Sequence, residues 1–243
     1  MTMPQEKRHS ILDAEQHRGL RIRTGAGPAL GDGVMSCLAV PAEFRRLACD
    51  YPLLFHFDAR IRRFGAVALF GFAPGENLYL EDGQWNASCR PLAMAVAPFL
   101  VGRRADGQGP AQIHIDLGHP RVSQDGEGQR VFDDTGQPTP FLEEAGNMLA
   151  ALDEGYQRST DFFLALAQHD LLEPFSMDVS AADGGQHRLV GYHLIDEDKL
   201  RALEPSAVAG LHTAGHLEPL YMALASLGNL AALVARKNRH HGG

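Results

Sequence analysis

The sequence predicts an α+β protein: an antiparallel, hairpin-rich N-terminal part packed with a helical C-terminal part that carries one further hairpin. Three observations predict it. Strand-length apolar runs separated by turn residues fill the chain from about residue 34 to residue 116, and apolar residues recur at spacings of three and four from residue 142 onward. Between them, residues 118–140 form a polar stretch rich in Gly, Asp, Gln and Pro. With 243 residues, 44% of them hydrophobic, the chain is long enough to bury a sizeable core as a single domain over residues 1–243. Its β-rich part is expected at about 1–117, its linker at about 118–140 and its helix-rich part at about 141–237.

The elements follow in order. Residues 53–57 and 66–72 are continuous apolar runs joined by the arginine-rich segment 58–63, the pattern of a hairpin buried on both faces. Residues 77–80 and 84–87 flank Glu81-Asp82-Gly83, and Asp-Gly supplies the positive φ angles that a tight hairpin needs. Pro41 and Pro91 suit first helical turns and predict short helices over 42–49 and 92–100, and residues 112–117 read as a strand. Thr139 and Pro140 make an N-cap and first-turn pair. Behind them Leu142, Ala145, Leu149, Leu152, Tyr156, Ser159, Phe163 and Leu166 predict one long helix with a nearly continuous apolar seam. Leu217, Leu220, Leu224, Leu227, Ala231 and Val234 repeat the spacing after a hairpin at 175–181 and 187–194 around Ala182-Asp183-Gly184-Gly185, so the two seams should face each other or the sheet. Asp196 opens a short helix, and Pro205 opens another.

Lys plus Arg is 22 against 30 for Asp plus Glu, a formal charge of -8 that points away from nucleic acid and towards neutral or basic partners. The first ten residues are polar, without the apolar core of an export signal. The longest apolar run, 91–101, is about half of the roughly 20 residues a bilayer span needs, so no membrane span is expected. Cys37, Cys49 and Cys89 are odd in number and lack CxxC spacing, as for reduced thiols in the cytoplasm, with Cys49 a small buried hydrophobe at a helix end.

His114 and Asp116 on one predicted strand, completed by a distant His187 or His169, could form the facial triad of a non-haem iron oxygenase-type enzyme holding Fe(II). Set against this, a His-x-Asp match arises easily in a chain with 12 histidines. His212 and His216 stand four apart near Glu218, but Gly215 breaks the helix between them and no general base intervenes. Ser36 and Ser226 lack the flanking glycines of a nucleophile elbow, and the glycine clusters at 31–33 and 102–109 lack a following lysine and read as turns. Tyr51, Asn77 and Trp85 lie beside hairpin turns and are the candidate binding residues, since amphipathic aromatics give large contact area at small entropic cost. The competing reading makes Tyr51 and Trp85 core residues with one polar handle and Asn229 a buried hydrogen-bonding group.

Taken in order, several segments resemble the SapC family of bacterial proteins. They are Glu15-Gln16-His17-Arg18, Asp50-Tyr51-Pro52, Gly75-Glu76-Asn77-Leu78-Tyr79-Leu80 with Asp82-Gly83 and Trp85, and Pro98-Phe99. Further on come Phe132-Asp133 with Gly136, Pro138 and Thr139, residues 170–174, residues 191–196, and Ser226-Leu227-Gly228-Asn229. The chain departs from the pattern before Pro98, where Cys89-Arg90 and Ala95-Val96-Ala97 replace an aromatic and a basic pair. The resemblance implies no established enzymatic activity. Its name suggests the surface layer, and similar proteins accompany TonB-dependent receptors, which implies an accessory role in nutrient uptake or partner modification. The expectation is therefore a cytoplasmic, non-catalytic protein without a cofactor, acting on a protein or peptide partner.

Overall fold

Apolar segments of strand length need partners on both edges and both faces, and most of this fold follows from how the chain supplies them. The structure, a computed structural model, describes residues 9–103, 111–180 and 184–240. In chain order, β1 (His9–Ile11), α1 (Ala14–His17) and β2 (Arg21–Ile22) lead through a glycine-rich loop to β3 (Ser36–Ala39). Next come α2 (Phe44–Leu47), the hairpin of β4 (Leu53–Asp58) and β5 (Arg63–Leu69), and the small hairpin of β6 (Leu80–Glu81) and β7 (Gln84–Trp85). Then follow α3 (Leu92–Ala95), β8 (Phe99–Gly102), β9 (Gln112–Asp116) and β10 (Gln129–Arg130). The second part consists of α4 (Pro140–Gln168), β11 (Leu172–Ser180), β12 (Gln186–Ile195), α5 (Glu197–Arg201), α6 (Pro205–Thr213), α7 (Leu217–Ser226) and α8 (Asn229–His240).

The main sheet has the order β11-β12-β4-β5-β3, all antiparallel, and a smaller sheet has the order β1-β9-β8. The fold is thus α+β, as the periodicities predict. The C-terminal hairpin does not stand alone: β12 pairs with β4, Tyr192 opposite His56 and His193 opposite Phe55, so both halves of the chain share one sheet. One apolar cluster gathers Phe44, Leu53, Phe55, Phe162, Phe163 and Leu220 around this sheet. A second gathers Val96, Phe99, Ile115, Leu142 and Leu149 around the smaller one. The long helix α4 serves both, contributing Leu142, Ala145 and Leu149 to the second and Phe162, Phe163 and Leu166 to the first. Thr139 caps it, its Oγ1 accepting from the Leu142 N–H at 3.4 Å, with Pro140 in the first turn.

Several expectations need correction. The helix expected over 92–100 stops at Ala95, and residues from Phe99 form β8, because a short apolar run carries no periodicity that separates helix from strand. The seam of α4 is interrupted: Leu152 is half-buried and Tyr156 is 41% exposed. The C-terminal helix is two helices, α7 and α8, separated at Leu227 and Gly228, and α7 lies on α2, β4 and β12. Residues 118–140 are not a bare linker, since β10 pairs with β2. Cys49 is exposed at the end of α2. By length and composition the run Leu217–Arg239 is apolar enough to cross a membrane, although the 91–101 run is not; 22% of its most apolar window is buried inside the protein. Within that run Leu220, Ala223, Ser226 and Leu233 are buried, and so is Lys237. The turn expected at Ala182-Asp183 and most of the 102–109 glycine cluster lie outside the described residues.

Candidate functional site

Two neighbouring regions are built on these elements, a polar frame and an apolar groove. The frame starts at the end of α2. Tyr51 is fully buried, its hydroxyl donates to the Cys89 carbonyl at 2.5 Å, and it accepts from Trp85 Nε1 at 2.6 Å. Its ring packs edge-on against Phe70 and Tyr79, with centroids 5.4 and 4.7 Å away. Burial pushes both phenols up; the Trp85 N–H only partly opposes this at Tyr51, as does Arg236 at Tyr79, so both rings are neutral struts. Asp50 accepts the Tyr79 hydroxyl on its carbonyl at 2.6 Å and the Ser88 N–H on its carboxylate at 2.9 Å. Asn77 is buried; it donates to the Asp32 carbonyl at 2.9 Å and accepts from the Tyr79 N–H at 3.0 Å.

Asp32 is the second hub, 1% exposed on the glycine-rich loop. Its carboxylate accepts from Arg121 Nη2 at 2.8 and 2.9 Å, from the Gly27 N–H at 2.9 Å, and from Arg90. Arg121, itself 4% exposed, also donates to the Arg23 and Gly25 carbonyls at 3.0 and 3.1 Å. The Arg90 guanidinium also lies over the Trp85 ring, 4.9 Å from its centroid, which joins the hubs. Burial, reinforced by the Arg121 charge, lowers the pKa of Arg90. On the far side of the frame Lys237 of α8 donates to Glu76 Oε1 at 2.5 Å, and Asn229 donates to the Ala48 carbonyl at 2.8 Å. Burial alone would raise Glu76, but the Lys237 ammonium and the Phe72 N–H outweigh it and lower its pKa.

The groove lies where β3, α3, β8 and α4 meet. It is a cavity of about 520 Å³ with walls of Leu38, Val96, Phe99, Val101, Leu149 and Leu152. Ala93 and Ala97 also line it, side chains too small to fill it. At one end are Asp116, held 3.7 Å from His9 Nε2, and His119; at the other, Arg103 pairs with Asp153. Burial, with the Arg121 charge adding, holds the His119 imidazole below its ordinary pKa, and its Nδ1 accepts the Arg121 N–H at 3.2 Å. Leu38 and Tyr156 also line an adjoining cavity of about 140 Å³ bordered by His56, Ile61 and Phe64. The space is therefore elongated.

The structure brings Tyr51 and Trp85 into contact and places Asn77 beside them through Asp32 and Tyr79. Of the three, Trp85 keeps partial exposure, while Tyr51 and Asn77 are buried. His114, Asp116 and His187 do not converge. The His114 ring sits over Gly102, where a Cβ would come within 2.0 Å of it, while Asp116 is at the opposite, Pro98 end of the strand pair. His187 is on β12, near enough to Glu76 to act on its carboxylate. Among the described residues no three His, Cys, Asp or Glu side chains are grouped to hold a metal ion, so these residues do not fit an Fe(II) triad. His212 lies in α6 and His216 begins α7, its ring on Phe162 at 5.6 Å. Sequence reasoning missed Asp32, Arg90 and Arg121 and the groove walls; the available signal was Ala95-Val96-Ala97, small residues where a larger pair is expected.

The family model of SapC matches residues 12–233. No curated protein matches the chain, and no solved structure does.

Proposed function

The chain belongs to the SapC family, and on that premise we propose that it is a non-catalytic, cytoplasmic binding or accessory protein that seats a segment of another protein or peptide. The observation that carries the reading is the elongated, open apolar groove with carboxylates at both ends. The part-exposed walls, Leu38, Val101 and Leu152, over the buried Val96, Phe99 and Leu149 mark a partner surface, because leaving apolar area in water costs free energy that binding recovers. A net charge of -8, with Asp116 at the groove end where Arg103 does not reach, favours a neutral-to-basic segment; Asp153 at the other end is already paired with Arg103. Tyr51, Asn77 and Trp85 enter the proposal as the group that fixes the Cys89-Arg90 segment leading into the α3 wall; Trp85 is the one with surface for contact. The partner proposed is a component of TonB-dependent uptake or a protein modified beside it, the setting that the resemblance implies.

The test is affinity capture from the native organism with wild type and with Leu152→Asp and Trp85→Ala variants shown to be folded. Each captured protein is then purified and rebound. The expected outcome is a partner that rebinds the wild type and is lost by Leu152→Asp. Equal rebinding to Leu152→Asp, or turnover of a small molecule by the isolated chain, would overturn the proposal.

A further inference from the structure

We infer that β8 takes an added β-strand: an extended, neutral-to-basic segment of the partner pairs with the open edge of Phe99–Gly102 and lowers alternate apolar side chains into the groove. This rests on reading the groove as the partner site and adds how the partner is held. In the antiparallel pair of β8 and β9, the Asp116 N–H donates to the Pro98 carbonyl at 3.1 Å, and Leu100 stands opposite His114 and Gly102 opposite Gln112. Bonding alternates along such a ladder, so Leu100 and Gly102 turn their backbone groups towards β9, and Phe99 and Val101 turn theirs outward. The Phe99 N–H is taken by the Val96 carbonyl at 2.8 Å. The Phe99 carbonyl and both groups of Val101 remain, and no described residue bonds them.

That edge faces the cavity. Phe99 and Val101 pack towards the second cluster while Leu100, on the other face, is 38% exposed, yet all three line the groove, which is possible only if the groove runs along the strand's side. Among the described residues no strand pairs with this edge. The main sheet's free edge, β11, carries Pro174, exposed Glu173 and Asp178, and a register irregularity between Phe175 and Met177, the devices that prevent strand pairing. At its other edge, β3 packs against α3. β8 is short and stands between Pro98 and Arg103, but within its Phe-Leu-Val-Gly run there is no proline, charge or bulge. Main-chain bonds to such an edge give affinity, and pockets for alternate side chains give selectivity. Asp116, with His9 at 3.7 Å beside it, complements a basic residue at the Pro98 end of the incoming segment, whereas Asp153 at the other end is already paired with Arg103.

The test pans a phage library of random seven-residue peptides on the full chain, then measures the enriched peptides against wild type, Val101→Pro and Leu152→Asp. Proline at 101 removes an outward N–H and leaves the β9 ladder intact, so the variant should fold. The expected result is enrichment of peptides alternating apolar and polar residues with Lys or Arg at an end, bound about tenfold more weakly by Val101→Pro, the effect of a lost hydrogen bond or two. Peptides N-methylated one position at a time should lose binding at alternate positions, a readout independent of how Val101→Pro folds. Binding unaffected by both Val101→Pro and N-methylation but lost in Leu152→Asp would overturn strand addition and leave the groove reading standing. Binding indifferent to all three, or no enrichment, would overturn both.

Discussion

The frame around Asp32 and Tyr51 and the groove along β8 treat their atoms in opposite ways. In the frame nearly every buried polar group has a partner: the Tyr51 hydroxyl both donates and accepts, and the Asp32 carboxylate takes two arginines and a backbone N–H. In the groove, the side chains of Leu38, Val101 and Leu152 stay part-exposed, and among the described residues nothing bonds the Phe99 carbonyl or the Val101 backbone groups. Several residues that carry the family resemblance fall in the first class, while Pro98 and Phe99 of the same pattern line the groove. Asp50, Tyr51, Asn77, Tyr79 and Trp85 staple loops, Thr139 caps α4, and Ser226 accepts the Leu53 N–H at 2.9 Å. The comparison teaches that a motif-rich region can be motif-rich because buried polar atoms have few alternatives, while a surface for recognition needs only shape, apolar area and an open edge.

The largest break in this contrast is predicted at Asp32. Replacing it with Ala leaves Arg121 and Arg90 as neighbouring cations, Arg121 fully buried, and removing one partner of a buried pair costs roughly 3–5 kcal/mol. The Gly25 and Arg23 carbonyls still hold Arg121, which places the expectation at the lower end of that range. Urea unfolding of Asp32→Ala with an unchanged m-value and a large drop in midpoint is the expected result. A loss below about 1 kcal/mol would mean that the hub is not a source of stability.

A matched pair on α4 sharpens the comparison. Leu149 and Leu152 are neighbours on one predicted seam, yet Leu149 is 3% exposed in the second cluster and Leu152 is half-buried on the groove wall. Leu149→Ala should cost roughly 2–5 kcal/mol and Leu152→Ala under about 1.5 kcal/mol, because the groove is already open and little new cavity is created. Equal losses in chemical denaturation would show that the groove is packed rather than exposed.

That pair also marks what the sequence made legible. Local signals read well: the Thr139-Pro140 start of α4, the turn in which Asp82 and Gly83 take φ of 49° and 73°, and the Asp196 cap of α5 each depend on a few adjacent residues. Periodicity named the face of α4 but not whether a neighbour covers it, so Leu152 and Tyr156 read the same as Leu149. Long-range pairings were illegible. Asp32 meets Arg90 and Arg121 across separations of 58 and 89 residues, and β12 reaches β4 from the other half of the chain, with no local pattern announcing either. For the candidate site, sequence located the tyrosine and tryptophan of the frame but not the groove, whose walls are ordinary Leu, Val and Ala.

The smallest predicted effect lies where the two regions touch. His119 lines the groove, and its ring packs on Gly31 of the Asp32 loop, where φ is +86° and a Cβ would come within 3.1 Å of it. Burial and Arg121 hold its folded pKa below the ordinary value, with Asp116 and Asp32 opposing. The unfolded chain therefore takes the proton first: stability from this group is present above the unfolded pKa of about 6.5 and is lost as pH falls through the folded value. His193 and His216, also lowered by burial, act in the same sense, while Glu43, raised by burial, acts in the opposite one nearer the carboxylate range. The comparison of wild type with His119→Gln isolates one imidazole from this sum. Unfolding free energies at pH 7.5 and pH 5.5 should differ less in the variant than in wild type. An identical pH slope in the two proteins would show that His119 titrates as freely in the folded chain as in the unfolded one, and that the seam between frame and groove is open to water.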